Sequence, residues 1–355
     1  MPDRRIARLT RAELELAHRT RLAQLVPARL PSRSAGRRPR LILIGGQQAV
    51  GKTRLQDRLF LVLDDGSLAR YDGDDNALVH PRYEALLRAD PLEGHYQAID
   101  AVLHPELHLK CLDRLRAGDH QYDVLASQPL ADADRARQWV GGFTEHGYRV
   151  SVVYIAMHWA NSTLGLAQRY QDPVDQQGFG RWIDLSTHDQ FYELIPVTAQ
   201  LLEDEGLVDD LYVVDREGNV LYENHRRDGR FERSGVGAAI VDGRARPQTQ
   251  EEYEHFWYTA DRLLTGRDPA DLMKREVRGA VLHAMARLKD RGMPVVGSAE
   301  RLMRIDECLQ AGDTAWDARR LASSGLVVPR SVSNAAEPPA SDVPHPPKPG
   351  SALER

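Results

Sequence analysis

One stretch, from Leu41 to Thr53, constrains this chain more than any other. It reads LILIGGQQAVGKT: four apolar residues, enough for one buried strand, followed by an unbroken match to G-x-x-x-x-G-K-[ST]. Glycines let successive backbone N–H groups surround a polyphosphate, and the following helix directs its positive N-terminus at the same anion. We therefore predict a phosphate-binding loop that holds ATP, formed by Gly46, Gln47, Gln48, Ala49, Val50, Gly51, Lys52 and Thr53.

Two side chains at the end of this loop have predicted roles of their own. Lys52 is expected to reach the β- and γ-phosphates, and the Thr53 hydroxyl is expected to bind Mg²⁺. The alternative is a glycine-rich turn that matches by chance. The apolar run before the loop and the helix-like TRLQDRLFLVL after it favour the functional interpretation, because the motif requires a strand and a helix on its two sides.

Composition bounds the class of protein. The 355 residues are 42% hydrophobic and 28% charged, which is typical of a soluble globular protein. The net charge of −5 gives no indication of a nucleic-acid partner. The two cysteines, Cys111 and Cys308, lack a metal-like spacing and are expected to be reduced thiols. No apolar run approaches the roughly 18 residues of a membrane span, and the N-terminus lacks a signal-peptide core, so we predict a cytoplasmic protein without membrane contact.

From Leu41 onward, short apolar runs alternate with longer helical segments. The predicted strands are Leu41–Ile44, Leu68–Tyr71, Tyr122–Ala126, Arg149–Ala156 and Leu211–Val214. The predicted helices are Thr53–Leu63, Tyr83–Leu87, Tyr96–Leu115, Ala131–Glu145 and a long stretch from Asn161 to Glu205. This alternation predicts an α/β fold of the P-loop NTPase type, a parallel sheet with helices on both faces. Ligands of such sheets bind at the carboxyl ends of the strands.

The regions flanking this body differ from it in composition. Residues 1–40 hold eleven arginines against three acidic residues, and Leu9–Leu25 has helical spacing of its apolar positions. A solvated helix and linker is favoured there over contact with nucleic acid, a partner or phosphate. His225–Pro247 is rich in Arg and Gly and is predicted to be a loop, whereas apolar spacing after it predicts a C-terminal helical extension. We divide the chain into a basic helix and linker (1–39), a kinase domain (40–225), a helical extension (226–327) and a disordered Pro-rich tail (328–355).

An acidic cluster follows the second predicted strand. Asp72-Gly-Asp74-Asp75-Asn76 begins where that strand ends, close to the predicted triphosphate. Carboxylates there could bind Mg²⁺ or accept the proton of an attacking hydroxyl. The alternative is an acidic turn in which Asp75 or Asn76 caps the next helix.

The combination of motifs resembles the zeta-toxin family. The phosphate loop is followed about twenty residues later by D-G-D-x-x-x-x-x-H-P, at Asp72 to Pro81. Members of that family are P-loop kinases of bacterial toxin–antitoxin systems, which phosphorylate the 3′-hydroxyl of UDP-N-acetylglucosamine. The resemblance implies that Asp74 is the catalytic base, that Asp72 is the first aspartate of the motif, where it would contact metal and substrate, and that His80 contributes to substrate binding. It also implies a small helical antitoxin as partner.

Two arginines continue the resemblance. Arg169, in STLGLAQRY, and Arg181, seven residues before His188-Asp189, are similar to family arginines that contact the transferred phosphate. The polar segment between them could close over the nucleotide as a lid. His188 and Asp189 could orient this lid or form a structural pair. Asp215–Tyr222 is similar to a terminal hairpin of the family, with its turn at residues 217–219.

The acceptor end departs from the family pattern. After the third strand the family carries an E-G-T-G-R-type sequence, where this chain has Ala126-Ser-Gln-Pro-Leu130. A glutamate that the family directs at the sugar would fall near Leu109 or Lys110. Ser127 and Gln128 keep the strand-end position with different hydrogen-bonding groups, so we predict that they bind the acceptor.

The sequence therefore predicts an ATP- and Mg²⁺-dependent small-molecule kinase, with Asp74, Lys52, Arg169 and Arg181 as catalytic residues. The acceptor implied by the resemblance is a nucleotide-sugar such as UDP-N-acetylglucosamine. One alternative is a P-loop kinase for another nucleotide, sugar or antibiotic. The other is a nucleotide-binding module without transfer activity.

Overall fold

A seven-stranded sheet forms the centre of the molecule. The structure, a computed structural model, describes residues 6–34, 36–118, 120–264 and 277–285. The strands are β1 (Arg40–Gly45), β2 (Leu68–Asp72), β3 (Asp123–Ser127), β4 (Arg149–Ile155), β5 (Asp210–Val214), β6 (Val220–Arg227) and β7 (Arg230–Phe231). Their spatial order is β2-β3-β1-β4-β5-β6-β7, with parallel pairing among the first five strands and antiparallel pairing of β6 and β7. The carboxyl ends of β1, β2 and β3 thus lie side by side.

Helices cover both faces of the sheet. Those described are α1 (Arg11–Gln24), α2 (Lys52–Leu63), α3 (Tyr83–Ala89), α4 (Gly94–Ala101), α5 (His104–Arg116), α6 (Ala133–Thr144), α7 (Trp159–Gln177), α8 (Leu185–Asp204), α9 (Val236–Ala245) and α10 (Gln250–Leu264), with a 3₁₀ helix at Gly73–Val79. Alternate residues of β1 face opposite layers. Leu41 and Leu43 pack with residues of α5, α6 and α8, whereas Ile44 packs with Leu55 of α2. The predicted α/β fold is confirmed.

Two predicted helices are each interrupted in the structure. The stretch predicted as one helix over residues 96–115 is α4 and α5, because Leu103 between them adopts the left-handed conformation (φ 52°) and Pro105 begins a new helix. The stretch predicted over residues 161–205 is α7 and α8. Gly178, at φ 80°, ends α7, and a loop then carries Arg181. Both interruptions place side chains at the same edge of the sheet as the phosphate loop.

The N-terminal helix is packed rather than solvated. Ala17, His18, Arg21 and Leu25 are buried, and the His18 imidazole bonds through Nε2 to the Val102 carbonyl at 2.8 Å. The prediction of a solvated helix was wrong here. The segment is basic on average, but one face of the helix packs against α5 and the 3₁₀ helix, and the average composition does not indicate that face.

The region after β6 is also more ordered than its composition indicates. The predicted loop at His225–Pro247 instead contains the end of β6, the short β7 and α9, whose Val236 and Ile240 are fully buried. Helix α10 and the helical residues 277–285 form a second core with α7, as a C-terminal helical extension. The predicted tail at residues 328–355 lies outside the described residues. None of the described helices combines the length and apolar character that a membrane crossing requires.

Candidate active site

The phosphate loop connects β1 to α2 in the conformation that the motif requires. Gly46 (φ 146°) and Gly51 (φ 105°) adopt backbone angles that disfavour side chains, so both positions need glycine. The Lys52 ammonium lies inside the loop and donates to the carbonyl oxygens of Gly46 (2.7 Å) and Gln47 (2.8 Å). Burial lowers the pKa of Lys52 to about 8, partly opposed by the negative charge of Asp72. The loop is therefore preorganised around a cation.

A cavity of about 700 Å³ opens over this loop, and we call it the phosphate cavity. The predicted site residues that line it are Gln48, Ala49, Gly51, Lys52, Thr53, Asp72, Asp74, Ser127, Gln128, Arg169 and Arg181. Gly46, Gln47 and Val50 belong to the loop backbone behind it, with the side chains of Gln47 and Val50 fully buried. The structure thus brings the phosphate loop, the acidic cluster and both predicted arginines to one cavity.

Asp72 is held at the end of β2 by two hydrogen bonds. Its Oδ1 accepts from the Asp74 backbone N–H at 2.9 Å, and its Oδ2 accepts from the Ser127 hydroxyl at 2.7 Å. Ser127 lies opposite Asp72 in the parallel β2–β3 register, which explains the contact. Ser127 therefore positions Asp72. The Asp72 carboxylate and the Thr53 hydroxyl are hard oxygen donors, which Mg²⁺ prefers beside substrate phosphates and waters.

Asp74 faces the cavity and forms an ion pair across it. Its Oδ2 accepts from Arg181 Nη1 at 2.7 Å, and its Oδ1 lies 3.9 Å from His95 Nε2. Burial among protein groups raises the pKa of Asp74, but the charge of Arg181 and its hydrogen bond to the carboxylate outweigh it and lower this pKa to about 2. The side chain is still 56% exposed, because it borders the open cavity. Asp74 is therefore ionised at neutral pH and accessible to a ligand.

The two predicted arginines leave positive charge available in the cavity. Among the described residues, Arg169 has no hydrogen-bond or ion-pair partner, and burial and the neighbouring Arg181 lower its pKa. Arg181 pairs with Asp74 through one nitrogen only, and its buried Nε has no partner within the described part of the chain. Together with Lys52, these guanidiniums favour an anionic ligand.

The His188-Asp189 pair is buried in the interior. His188 is fully buried, its Nε2 lies 2.9 Å from the Ser162 hydroxyl, and its Nδ1 lies 3.0 Å from Asp189. The Trp159 indole also donates to Asp189, at 2.7 Å. These contacts join α7 to α8, so the structural interpretation of the pair is favoured over a direct role in the cavity.

His80 is the predicted substrate-binding residue that the structure does not bring to the site. It is 2% exposed and is not among the described residues that line the phosphate cavity. Its Nδ1 accepts from the Arg82 backbone N–H at 3.1 Å, so the proton is on Nε2, which donates to the Ala7 carbonyl at 2.9 Å. The predicted substrate contact is therefore replaced by an anchor for the N-terminal segment.

The lining residues that were not predicted from sequence include two histidines and two arginines: His95, His104, Arg135 and Arg216. Arg216 lies two residues after the end of β5, so its position near a strand end could have indicated a site residue. The other three lie on helices whose sequence carries no motif. Burial and the charge of Arg181 lower the pKa of His95 to about 3, which keeps its imidazole neutral.

A mostly parallel sheet with a phosphate loop after its first strand defines a P-loop NTPase-like α/β protein. A sequence profile described as Zeta toxin matches residues 27–227, more than half of the chain. The chain therefore belongs to the zeta toxin family.

Individual relatives agree with this assignment. The chain is 26% identical over 188 residues to "Toxin zeta" of Streptococcus pyogenes, covering 52% of this chain and 63% of that protein. It is 25% identical over 206 residues to "Toxin zeta" of Enterococcus hirae, covering 57% and 69% respectively. A solved structure from the PezAT chromosomal toxin–antitoxin system of Streptococcus pneumoniae superposes with a TM-score of 0.59 at 20% identity, over 72% of this chain and 96% of that chain.

Proposed function

We propose that this protein is an ATP-dependent kinase that transfers the γ-phosphoryl group to a hydroxyl of a small molecule. The observation that carries the proposal is that Lys52 of the phosphate loop and Asp74 of the acidic cluster face the same cavity, with Arg169 and Arg181 beside them. A phosphate loop alone supports only nucleotide binding. A carboxylate that lines the same cavity adds a group that can orient an acceptor hydroxyl.

Each group has a role that follows from its position. The loop backbone and Lys52 would bind the phosphates of ATP, and Asp74 would hold the acceptor hydroxyl in line with the γ-phosphorus. Because phosphoryl transfer has a loose transition state, positioning and charge neutralisation contribute more than proton removal, which suits a weakly basic Asp74. Arg169 and Arg181 would stabilise charge on the transferred group. Thr53 and Asp72 would hold Mg²⁺, which supplies further positive charge when it is bound.

Before ATP binds, the carboxylate of Asp74 and the guanidinium of Arg181 form an ion pair with each other. The triphosphate carries more negative charge than one carboxylate and competes for the guanidinium. ATP binding would therefore release Asp74 for the acceptor.

The acceptor implied by the family resemblance is UDP-N-acetylglucosamine, which makes it the first compound to test. A specific observation favours another small molecule. At the acceptor end this chain places buried Ala126 and Leu130 where the family pattern has a glutamate and an arginine. Side chains of that kind offer no hydrogen bonds to a sugar or a diphosphate.

The direct test combines purified protein, radiolabelled ATP and Mg²⁺ with UDP-N-acetylglucosamine or with a bacterial metabolite extract. We expect one metabolite to gain a single phosphoryl group. Lys52→Ala and Asp74→Ala should each reduce the product at least about a hundredfold, as loss of a positioned catalytic group does. Asp134→Ala is the matched control, since Asp134 is 86% exposed on α6.

Four outcomes distinguish the candidates and test the role of Asp74. A phosphorylated UDP-sugar supports the family acceptor, and a different phosphorylated metabolite supports the second candidate. Near-normal product from Asp74→Ala contradicts the assigned role of that residue. ATP binding without any phosphorylated product, across the whole extract, would leave a nucleotide-binding module instead of a kinase.

The family assignment also supports a toxin function held in check by a small helical antitoxin. In that case expression of the protein without its partner should arrest growth. Lys52→Ala should relieve the arrest, because the variant lacks the lysine that binds the phosphates of ATP and should not transfer a phosphoryl group.

A further inference from the structure

A second cavity, of about 410 Å³, adjoins the phosphate cavity, and we call it the side pocket. The two share His104, Gln128, Pro129, Arg135 and Phe191 along their common border. The border is close to the proposed catalytic carboxylate, since the Gln128 amide nitrogen would lie 2.9 Å from a Cβ placed on Gly73, next to Asp74. A molecule in the side pocket can therefore present a hydroxyl to Asp74.

The wall of the side pocket is built from flat, uncharged rings. The imidazoles of His104 and His108 stack with centroids 5.3 Å apart and planes 24° apart, and the Trp139 ring lies 5.3 Å from that of His108. The Tyr71 hydroxyl bonds to His108 Nδ1 at 2.6 Å. Burial lowers the pKa of His108 to about 4 and also lowers that of His104, so both rings are neutral at pH 7. Neutral aromatic side chains in a pocket wall favour a planar aromatic or heterocyclic ligand.

Much of the remaining wall is apolar, contributed by Leu109, Leu112, Leu130 and Ala136. The family pattern would place a sugar-directed glutamate near Leu109 or Lys110, but Leu109 lines the pocket, and Lys110 pairs with Glu106 at 2.6 Å on the surface of α5. The position of that glutamate therefore offers a sugar no hydrogen bond in this pocket, whose polar side chains are those of His104, His108, Arg116, Gln128, Asp132, Arg135 and Gln138.

One positive charge is available at the border. Arg135 is exposed, lines both cavities, and its guanidinium has no hydrogen-bond or ion-pair partner among the described residues. Arg116, the other arginine of the wall, is 12% exposed and pairs with Asp113 at 3.3 Å. Asp132 accepts the Arg135 backbone N–H at 2.8 Å as the cap of α6. This arrangement matches a ligand with one anionic group better than one with a diphosphate.

We propose that the acceptor is a planar-ring compound that carries a hydroxyl and one anionic group, a phosphate monoester or a carboxylate. Its ring would pack against His108 and Trp139, and its anion would bind Arg135. This inference rests on the proposed kinase function. In the step itself, the acceptor oxygen forms a bond to the γ-phosphorus of ATP, the bond from that phosphorus to the bridging oxygen breaks to leave ADP, and the hydroxyl proton passes to Asp74.

The test separates the ring from the charge by measuring ligand binding with saturation-transfer NMR. A non-hydrolysable ATP analogue is present at saturation, so that the probes do not enter the nucleotide site. The probes are AMP, which has both features; adenosine, which lacks the anion; ribose 5-phosphate, which lacks the ring; 4-hydroxyphenylacetate, which carries a carboxylate; and UDP-N-acetylglucosamine. We expect AMP or 4-hydroxyphenylacetate to bind at least about tenfold more tightly than adenosine and ribose 5-phosphate, as loss of a charge-assisted hydrogen bond or a stacked ring predicts. Which of the two binds more tightly identifies the anion.

In Arg135→Gln, the anionic ring compounds should no longer bind more tightly than adenosine. Arg137→Gln on the same helix is the matched control, because Arg137 pairs with Glu205 at 2.5 Å away from both cavities and should leave the advantage intact. Tighter binding of UDP-N-acetylglucosamine than of every other probe overturns the inference. So does binding of ribose 5-phosphate as tight as that of the better of AMP and 4-hydroxyphenylacetate, or an unchanged preference in Arg135→Gln.

Phosphoryl transfer to the same probes separates this inference from the proposed function. Binding that depends on Arg135 without transfer to any compound leaves the side pocket as a ligand site and contradicts the kinase. Transfer to an acceptor that is insensitive to Arg135→Gln supports the kinase and contradicts the side-pocket assignment.

Discussion

At the scale of single residues, Lys52 combines burial with a charge that its proposed role in binding phosphates needs. Its ammonium donates to two loop carbonyls, yet burial outweighs the attraction of Asp72 and brings its pKa to about 8. A lysine with this pKa is mostly protonated at pH 7 and mostly neutral at pH 9. The phosphate loop should therefore lose the positive charge of Lys52 between about pH 7 and pH 9.

We expect the affinity for ATP to fall as the pH rises above 8. The neutral amine no longer attracts the triphosphate, so the dissociation constant should increase about tenfold between pH 7 and pH 9.5, the size of one lost charge-assisted contact. Titration with a fluorescent ATP analogue measures it. In Lys52→Arg the guanidinium stays charged, and the affinity, although weaker, should not change over the same range. Equal pH dependence in both proteins would show that another group titrates.

The residues on the phosphate side were predictable because their signals are local. The spacing around Lys52 and the position of Asp74 after a strand are properties of short segments. His95 and Arg135 reach the site only through the packing of distant helices, and their own sequence surroundings carry no motif. His80 lies within a matched motif but packs away from the cavity, which the residue spacing does not indicate.

At the scale of elements, α1 supports the acidic cluster. Arg21 is buried, and its guanidinium donates to Asn76 Oδ1 and to the Asp72 carbonyl, each at 2.8 Å. It also lies 3.5 Å from Asp75 Oδ2. The helix thus fixes the turn that carries Asp74 and offsets its concentrated negative charge. A basic residue that looked like part of a solvated face is a positioning residue.

We expect Arg21→Gly to lower kcat for phosphoryl transfer about tenfold to a hundredfold, with little change in KM for ATP. The turn bearing Asp74 would lose two hydrogen bonds, whereas the phosphate loop would keep its own contacts. Millimolar guanidinium chloride should restore part of the rate by filling the vacated site, and sodium chloride should not. Arg11→Gly on the same helix is the control, because Arg11 is 93% exposed and its one ion pair among the described residues is with Glu15. Loss of stability without chemical rescue would indicate a purely structural role.

The boundaries of elements were harder to predict than their order. Alternating apolar runs predicted the parallel sheet, since that pattern reflects burial on two faces. The break at Leu103 depends on a left-handed residue without glycine, and nothing in its local sequence indicates that conformation. Helix α9 was predicted to be part of a loop because the segment around it is rich in Arg and Gly. Its Val236 and Ile240 nevertheless belong to the main hydrophobic core.

At the scale of the whole molecule, the C-terminal helices are connected to the phosphate loop. Arg244 of α9 is buried, donates to Gln47 Oε1 at 3.1 Å and to the Tyr192 carbonyl at 2.5 Å, and stacks on the Tyr192 ring at 3.8 Å. The Gln47 amide also faces the Ser162 hydroxyl of α7, at 3.4 Å. One loop side chain therefore joins the sheet, the α7–α8 layer and α9.

We expect Arg244→Met to weaken ATP binding about threefold to tenfold, because the loop loses a hydrogen bond that fixes Gln47, a contribution of about 0.5–1.5 kcal/mol. The free energy of unfolding should change less than the number of lost contacts indicates, since the substitution also removes a buried charge with its desolvation cost. Calorimetric titration with ATP and urea unfolding measure the two quantities. Arg227→Met, at a residue 72% exposed with a 3.4 Å surface pair, should change neither. If Arg244 acts through Gln47, Arg244→Met and Gln47→Ala should be strongly non-additive in ATP affinity, whereas additive effects would place its influence elsewhere in the fold.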